Sequence, residues 1–359
     1  MTLLALDGDG ISREILDATL SVLEALDLGL AVDRDIVGFR SLDAHGTTLT
    51  DATKARARAA DGIILGPVSH LDYPPVAQGG INPSGALRIG LDLYANIRPA
   101  RSFPGVARPV AAPPDLVPLD LVIVRENTEG FYADRTMVAG TGEVMPTGDL
   151  ALAFRKITRQ GSRRIVERAF DLAAASGRKV TAVHKANVMR LSDGLFLEEA
   201  RAVAARFPTV PYDEALVDAV AALLVRDPGR FGVIVTTNMF GDILSDLASE
   251  LAGGLGLAAS LNAGDDHAMA QAQHGSAPDI AGKDQANPTS LILSTAMLLD
   301  WLSTRHDQPA LARGAARLRE AVAAGLARPE TRTGDIGGAL GTRAYAEALI
   351  RHLTTEPAP

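Results

Sequence analysis

Two aspartates lie four residues apart in the segment TTNMFGDILSDLASE. On a helix, Asp242 and Asp246 share one face, while Ile243 and Leu244 belong to an apolar face. Two carboxylates in this arrangement can bind a hard divalent cation, which needs several oxygen ligands. The same pattern also describes an ordinary amphipathic helix, because aspartates are favoured near a helix N-terminus. A third carboxylate would favour the metal site, and Asp218, early in the apolar segment EALVDAVAALLV, is the candidate.

A lysine and three arginines also follow or end apolar segments. Lys185 comes directly after VTAV, where it could act as a general base. Arg125 follows LVIV, at the position where α/β proteins bind ligands. Together with Arg88 and Arg98 it indicates an anion pocket, because guanidinium groups bind carboxylates in bidentate geometry. Taken singly, each of these residues also fits a surface lysine or a surface ion pair.

Two glycine-containing segments could approach a nucleotide. DGDGIS, residues 7–12, lies between a predicted strand and a predicted helix, but it lacks the third glycine of the dinucleotide fingerprint. It therefore fits a tight turn at least as well as a phosphate site. The segment HGSAPDIAGKDQANP, residues 274–288, is a predicted loop. Its Asp279 could accept hydrogen bonds from a ribose 2′-hydroxyl and would repel a 2′-phosphate, although a purely structural loop is the alternative.

The elements that position these residues are predicted to alternate between strands and helices. Apolar runs predict strands at residues 3–6, 62–66, 119–126, 179–184 and 231–237. Helical patterns lie between most of them, which favours an α/β fold with some parallel strands. The five prolines of residues 102–118 exclude a long helix there. Residues 133–148 are rich in Gly and Thr and form either a surface excursion or an arm that grips another subunit.

Composition narrows the class of protein. The 359 residues are 47% hydrophobic, which is enough for two sizeable cores. The absence of cysteine excludes disulfides, thiolate metal sites and a cysteine nucleophile, so any metal must be bound by oxygen or imidazole. A net charge of -8 with scattered basic residues argues against nucleic acid as a partner. No long apolar run and no signal-peptide pattern are evident, so we expect a cytoplasmic protein without membrane contact.

In this order the segments resemble the β-decarboxylating dehydrogenases, which include isocitrate, homoisocitrate, 3-isopropylmalate, tartrate and D-malate dehydrogenases. The resemblance covers nearly the whole chain and rests on LDLYANIRP, VRENTEGFY, HKANV, FGDILSDLAS and HGSAPDIAGK. It implies an α/β isopropylmalate/isocitrate dehydrogenase-like fold of two domains with a central cleft, which is not a Rossmann fold. The cofactor-side domain would comprise residues 1–98 and 256–359. The central domain, residues 99–255, would carry the dimer interface, an arm near 133–148 and the metal-binding helix.

The resemblance also implies roles for individual residues in a homodimer with shared active sites. The catalytic residues would be Tyr132, as the acid, and Lys185, as the proton acceptor that the partner subunit supplies. The substrate would contact Asn82, Ser84, Arg88, Arg98 and Arg125. The metal, Mg²⁺ or Mn²⁺, would be bound by Asp242 and Asp246 together with Asp218 from the partner subunit. The cofactor would contact Asn187, His274, Gly275, Ser276, Ala277, Asp279, Ile280 and Asn287. NAD is expected because relatives that use NADP tend to carry Lys-Tyr in place of Asp279-Ile280.

The chain departs from the family in two segments, of which the first concerns the substrate. The segment INPSGAL offers Asn82, Ser84 and Gly85 near positions where isopropylmalate enzymes usually present bulky leucines. We therefore expect NAD- and metal-dependent oxidative decarboxylation of a malate-type 2-hydroxy acid of the isocitrate, homoisocitrate, D-malate or tartrate class. Gln271 replaces the family glutamate of VFEPVHG. The alternatives are a 3-isopropylmalate dehydrogenase, a non-catalytic regulatory subunit of the same family, or a simple 2-hydroxy acid dehydrogenase without decarboxylation.

Overall fold

The computed structural model of the protein describes residues 1–108, 118–132 and 142–355. The chain divides into two compact units. The first comprises Met1–Leu91, Phe103–Arg108 and Gly253–Pro359, and the second comprises Asp92–Ser102 and Pro109–Ala252. The first unit is therefore built from both ends of the chain. Most of the predicted arm, residues 133–141, and residues 109–117 of the proline-rich segment lie outside the described residues.

Strands and helices alternate along most of the described chain. The strands are β1 (Thr2–Asp7), β2 (Ala31–Ile36), β3 (Gly62–Leu65), β4 (Ala95–Arg101), β5 (Asp120–Glu126), β6 (Glu143–Thr147), β7 (Leu150–Ala153), β8 (Val180–His184), β9 (Tyr212–Leu216), β10 (Val233–Thr236), β11 (Leu261–Ala263) and β12 (Ala268–Gln271). The helices are α1 (Ser12–Glu24), α2 (Phe39–His45), α3 (Asp51–Ala59), α4 (Pro83–Gly90), α5 (Arg159–Ser176), α6 (Ser192–Ala204), α7 (Val217–Arg226), α8 (Asn238–Ala252), α9 (Thr289–His306), α10 (Pro309–Ala327) and α11 (Thr342–Thr355).

In the first unit the strand order is β2-β1-β3-β12-β11. The pairs β1–β2, β1–β3 and β3–β12 are parallel, and β11 is antiparallel to β12. The residues of β3 are buried throughout, as expected for a strand in a parallel sheet with both faces covered. Within the described residues, no helix has both the length and the apolar character needed to cross a membrane.

In the second unit the strand order is β4-β5-β10-β8-β9. Strand β4 is antiparallel to β5, whereas the pairs β5–β10, β10–β8 and β8–β9 are parallel. Strands β6 and β7 form a separate antiparallel hairpin. Buried side chains of β5, α7 and α8 share one core, which includes Leu121, Ile123, Val220, Leu224 and Leu244. This core fixes α8 against the strands, and α8 carries the two aspartates.

The predicted α/β alternation is confirmed, and all five predicted strands are present. The sequence pattern missed several others, among them β2 and β9, because these strands end the order of their units and carry charged, partly exposed residues. The predicted helix around Asp242 extends over all of α8. One detail of that prediction is wrong: the side chain of Ile243 is 58% exposed, because Leu244 and Ala248 make the core contacts instead.

Candidate active site

Arg98 and Arg125 meet the two aspartates of α8 inside the second unit. Arg125 Nη1 forms a short ion pair with Asp242 Oδ1. Arg98 Nη1 lies 3.3 Å from one carboxylate oxygen of Asp242 and 3.3 Å from one of Asp246. Both guanidinium groups are buried, whereas the two carboxylates are half exposed. The structure thus brings residues that are 144 positions apart in the chain together in one charged cluster.

Two further polar side chains of α8 fix the arginines, and sequence reasoning did not assign roles to them. Asn238 Oδ1 accepts hydrogen bonds from Arg125 Nε at 3.1 Å and from Arg125 Nη2 at 2.7 Å. Ser245 Oγ accepts one from Arg98 Nη1 at 2.7 Å. Ser245 lies on the same helix face as the two aspartates, but nothing in the local sequence indicates its partner. Each guanidinium group is therefore held by a neutral acceptor as well as by a carboxylate.

The close approach of the two guanidinium groups affects the pKa of Arg98. Burial, together with the neighbouring charge of Arg125, lowers the pKa of Arg98 to about 10, and Asp242 and Asp246 oppose that shift. The aromatic ring of Tyr132 lies beside the same cluster, with its centroid 5.9 Å from Arg125 Cζ. Tyr132, which the resemblance assigns as an acid, is thus next to a residue assigned to substrate binding.

Lys185 and Asp218 form a second cluster in this unit. Lys185 Nζ donates to Asp218 Oδ1 at 2.6 Å, and the backbone N–H of Lys185 donates to Asp193 Oδ2 at 2.5 Å. Asp193 is fully buried and pairs with Arg155, so it anchors the turn after β8. Asp218 lies in the first turn of α7 with its side chain 65% exposed, where the helix dipole favours its charge. Although Asp218 belongs to an apolar segment, its own charge therefore lies in an exposed position in the single chain.

Helix α4 of the first unit carries the predicted substrate residues of that unit. Asn82 is its N-cap and accepts from Gly85 N at 3.1 Å. Ser84 Oγ donates to Gln271 Oε1 at 2.9 Å, and Arg88 Nη2 donates to the same oxygen at 3.2 Å. Ser84 and Arg88 are four residues apart and lie on one face of α4. Gln271, which the resemblance places at a glutamate position of the family, is therefore the residue that holds both.

The predicted cofactor loop begins after β12 in the first unit. Its backbone contacts the turn between β1 and α1, where Ile11 N donates to Ser276 O at 2.8 Å. Gly10 has φ of +55°, and a Cβ there would come within 2.0 Å of Ser276 O, so glycine is required. The neighbouring amide of Gly8 donates to Ser12 Oγ at 2.7 Å. These amides serve the protein itself, which supports the tight turn rather than a phosphate site.

Within this loop His274 has an unmatched polar atom. His274 Nδ1 lies 3.0 Å from Gly275 O, and Nε2 is buried with no hydrogen-bond partner among the residues that the structure describes. Burial lowers the pKa of His274 below its usual value, so the ring is neutral near pH 7. A neutral ring that donates from Nδ1 has a lone pair on Nε2. A ligand with a hydrogen-bond donor would satisfy that atom.

The other predicted cofactor residues differ in exposure and in the unit to which they belong. Asn287 is buried, donates to Asp335 at 3.0 Å and accepts from Thr289 N. Gly275 and Asp279 are exposed, Ser276 is buried, and Ala277 and Ile280 are half-buried. Asn187 is exposed and belongs to the second unit.

Within one chain, the polar side chains of the site provide part of what the expected metal ion and cofactor require. Asp242 and Asp246 direct carboxylate oxygens toward a shared positive group, Arg98, and such oxygens suit Mg²⁺ or Mn²⁺. Among the described residues, however, no three His, Asp or Glu side chains converge as a metal site. Asp218 pairs with Lys185 instead of joining the other two aspartates. The buried Nε2 of His274 fits a nucleotide cofactor that offers a hydrogen-bond donor.

The chain is similar to known proteins over nearly its whole length. A sequence model of the isocitrate/isopropylmalate dehydrogenase family matches residues 2–349. The chain is 41% identical over 355 residues to a 3-isopropylmalate dehydrogenase of Methanothermobacter thermautotrophicus, covering 98% of both chains. It is 42% identical over 350 residues to an isocitrate/homoisocitrate dehydrogenase of Thermus thermophilus, covering 97% of both. The crystal structure of isocitrate dehydrogenase from Methylococcus capsulatus is similar with a TM-score of 0.87 and 39% identity, covering 98% of this chain and 99% of that one.

These matches extend over nearly the full length of the relatives and include both units. The chain therefore belongs to the isocitrate/isopropylmalate dehydrogenase family of NAD(P)-dependent, oxidatively decarboxylating enzymes.

Proposed function

We propose that the protein is an NAD- and divalent-metal-dependent dehydrogenase that oxidatively decarboxylates a malate-type 2-hydroxy acid. The observation that carries this proposal is the cluster of Arg98 and Arg125 with Asp242 and Asp246. It combines cationic groups for substrate carboxylates with anionic groups for a metal ion. Asp218 of the partner subunit completes the metal ligands in the proposed homodimer.

The residues have complementary tasks in the proposed reaction. Arg88, Arg98 and Arg125 bind the substrate carboxylates, while Lys185 of the partner subunit accepts the proton of the C2 hydroxyl. NAD held by the loop of residues 274–280 would take up a hydride from C2, which would convert the alcohol to a ketone. Loss of CO₂ from C3 leaves its electron pair in an enolate, which Tyr132 protonates at C3. A divalent cation bound by the aspartates supplies polarisation of the C2 oxygen in both stages.

The first unit supports NAD as the cofactor. His274 offers a buried acceptor in the loop, and Asp279 is an exposed carboxylate in the same loop. A carboxylate accepts hydrogen bonds from a ribose 2′-hydroxyl and repels the 2′-phosphate of NADP. We therefore propose that Asn187, Asn287 and residues 274–280 contact NAD and that NADP is a poor substitute.

The proposal is tested with a panel of 2-hydroxy acids. Isocitrate, homoisocitrate, D-malate, tartrate and 3-isopropylmalate are each offered with Mn²⁺ and with NAD or NADP. Release of NADH and CO₂ in equal amounts from at least one substrate is expected. NADH without CO₂ would indicate a simple 2-hydroxy acid dehydrogenase, and substrate binding without turnover would indicate a regulatory subunit. Either result would overturn the proposed reaction.

Asp246→Asn tests the metal role. Because a catalytic cation contributes several kcal/mol to transition-state stabilisation, kcat is expected to fall by about 10³-fold. The unfolding temperature should change little, because Asp246 is half exposed. Glu250→Gln is the matched control, since it removes another carboxylate of α8 that the proposed site does not use. Equal metal-dependent rates for wild type and Asp246→Asn would contradict the assignment.

A further inference from the structure

Gln271, at the end of β12, contacts two side chains of α4. Its Oε1 accepts from Ser84 Oγ at 2.9 Å and from Arg88 Nη2 at 3.2 Å. Asn262 Nδ2 also lies 3.4 Å from this oxygen. Ser84 itself is buried. One amide oxygen therefore holds both a residue assigned to a substrate carboxylate and a residue assigned to the substrate side group.

Chemistry fixes the direction of the hydrogen bond between Ser84 and Gln271. A guanidinium group only donates, so the atom of Gln271 that faces Arg88 must be the amide oxygen and not the amide nitrogen. An amide oxygen only accepts, so Ser84 must donate its single hydroxyl hydrogen to it. Toward any other neighbour, Ser84 Oγ consequently presents lone pairs and no hydrogen.

The neutrality of Gln271 matters for Arg88. A carboxylate at this position would form a charge-assisted pair with the guanidinium group and offset its positive charge. The amide holds the same group in place without that offset. A glutamate at position 271 would add a negative charge beside Arg88, which would weaken the attraction of Arg88 for a substrate carboxylate.

We propose that Gln271 is a positioning residue that sets substrate specificity by consuming the hydroxyl hydrogen of Ser84. Ser84 Oγ and Arg88 Nη2 share one acceptor, so a substrate bound at Arg88 lies close to Ser84. A hydroxyl on C3 of the malate core donates to the buried Ser84 Oγ, whereas a side group ending in carboxylate meets lone pairs and is repelled. A hydrogen at C3 leaves the oxygen unmatched. The preferred substrate is thus a 2,3-dihydroxy diacid, and this inference rests on the proposed function.

The test compares kcat/KM for tartrate, supplied as each of its stereoisomers, with kcat/KM for isocitrate. The wild type is expected to prefer tartrate. In Gln271→Leu the released Ser84 hydroxyl can donate to a carboxylate, so the tartrate-to-isocitrate ratio should fall about tenfold, which corresponds to one hydrogen bond. In a Ser84→Ala background the same change should leave the ratio unaltered, because no hydroxyl remains to be released.

Gln271→Glu is the conservative variant. It should leave the tartrate preference unchanged but raise KM, and a merely structural role of Gln271 would not separate these two effects. A glutamate still accepts from Ser84 and should preserve the tartrate preference. It also offsets the charge of Arg88, so KM should rise for both substrates. A wild type that prefers isocitrate, or equal losses on both substrates in Gln271→Leu, would overturn the inference. If Gln271→Leu does not fold, the loss of the tartrate preference in Ser84→Ala is the deciding measurement.

Binding measurements separate this inference from the proposed function. Calorimetric Kd values for tartrate and isocitrate with Mg²⁺, in the absence of NAD, report the same preference without turnover. Preferential tartrate binding without turnover on any panel member would support the inference and defeat the proposed function. Turnover whose tartrate-to-isocitrate ratio is the same in the wild type and in Gln271→Leu would support the proposed function and overturn the inference. Binding of neither substrate would overturn the inference.

Discussion

At the scale of single residues, the cluster holds charges that folding alone would not favour. Burial and the neighbouring guanidinium group of Arg125 disfavour the charged form of Arg98 and lower its pKa. Perturbed groups of this kind concentrate at functional sites. The acceptors Asn238 and Ser245 keep both arginines oriented before any substrate arrives. The site is therefore organised to receive an anion, which would relieve the repulsion between the two arginines.

The titration of His274 leads to a prediction for cofactor binding. Because burial lowers its pKa below the ordinary 6.5, His274 is neutral from pH 7 to 8, and Nε2 can accept a hydrogen bond. The Kd for NAD should be constant over that range and should rise as the pH falls below 6.5 and the ring becomes protonated. Calorimetry or fluorescence titration measures it. His274→Asn retains an acceptor that does not titrate and should flatten the profile, whereas a Kd that rises above pH 7 would contradict the assignment.

The same shift links His274 to stability. The unfolded chain binds this proton at a higher pH than the folded chain does, so the contribution of His274 to the free energy of unfolding falls as the pH drops below 6.5. The neutral form is the one that the fold accommodates.

Residue types and their order were enough to predict the arginines, the aspartates and the cofactor loop as candidates. Their partners were not predictable, because hydrogen bonds such as Arg125 to Asn238 join segments 113 residues apart. Gln271 is the clearest example: the family resemblance implied that it replaces a glutamate, but only the fold shows that it holds Ser84 and Arg88.

At the scale of elements, α8 performs two tasks with two faces. Leu244 and Ala248 pack into the core of the second unit, and Asp242 and Asp246 project from the other side. Close packing against β5 is possible because Gly241 has no side chain at the point of contact. The apolar runs predict the central strands. They do not predict β2 and β9, because these partly exposed strands carry charged residues and their sequences resemble those of loops.

Gly241→Ala should therefore be damaging despite the higher helix propensity of alanine. A Cβ at this position would lie 2.6 Å from both Cβ and Cγ of Arg125. The clash involves the base of that side chain, so Arg125 must move away from Asn238 and Asp242. We expect a loss of about 1–3 kcal/mol in the free energy of unfolding, together with a raised KM. Denaturant unfolding and steady-state kinetics measure the two effects.

Gly194→Ala is the matched control for this substitution. Gly194 also lies in a helix, α6, but a Cβ there would meet nothing within 4 Å. Helix propensity then dominates, and stability should rise by up to about 1 kcal/mol. The changes in the free energy of unfolding of the two variants need not be equal in size. A Gly241→Ala variant that is more stable than the wild type would contradict the close contact between α8 and Arg125.

At the scale of the whole molecule, the second unit exposes apolar side chains that a second copy could cover. Leu152, Phe154 and Ile243 are each about half exposed, and Leu191 is 91% exposed. Large apolar side chains that stay exposed in one chain are candidates for such a contact. The composition had predicted two cores and the family resemblance had predicted a dimer. The homodimer stays a prediction, and mixtures of inactive variants test it.

Shared active sites make a quantitative prediction about mixtures of inactive variants. Asp246→Asn disables the site on its own protomer, whereas Lys185→Met disables the site on its partner. In a heterodimer of the two, one site carries both defects and the other carries neither. With random assembly half of the dimers are mixed, so coexpression should restore about a quarter of the wild-type activity. Asp242→Asn with Asp246→Asn, two variants with defects on the same side, should restore none. If Lys185 instead acts within its own chain, every site in the first mixture is defective, and activity that stays at the level of the separate variants would exclude sharing.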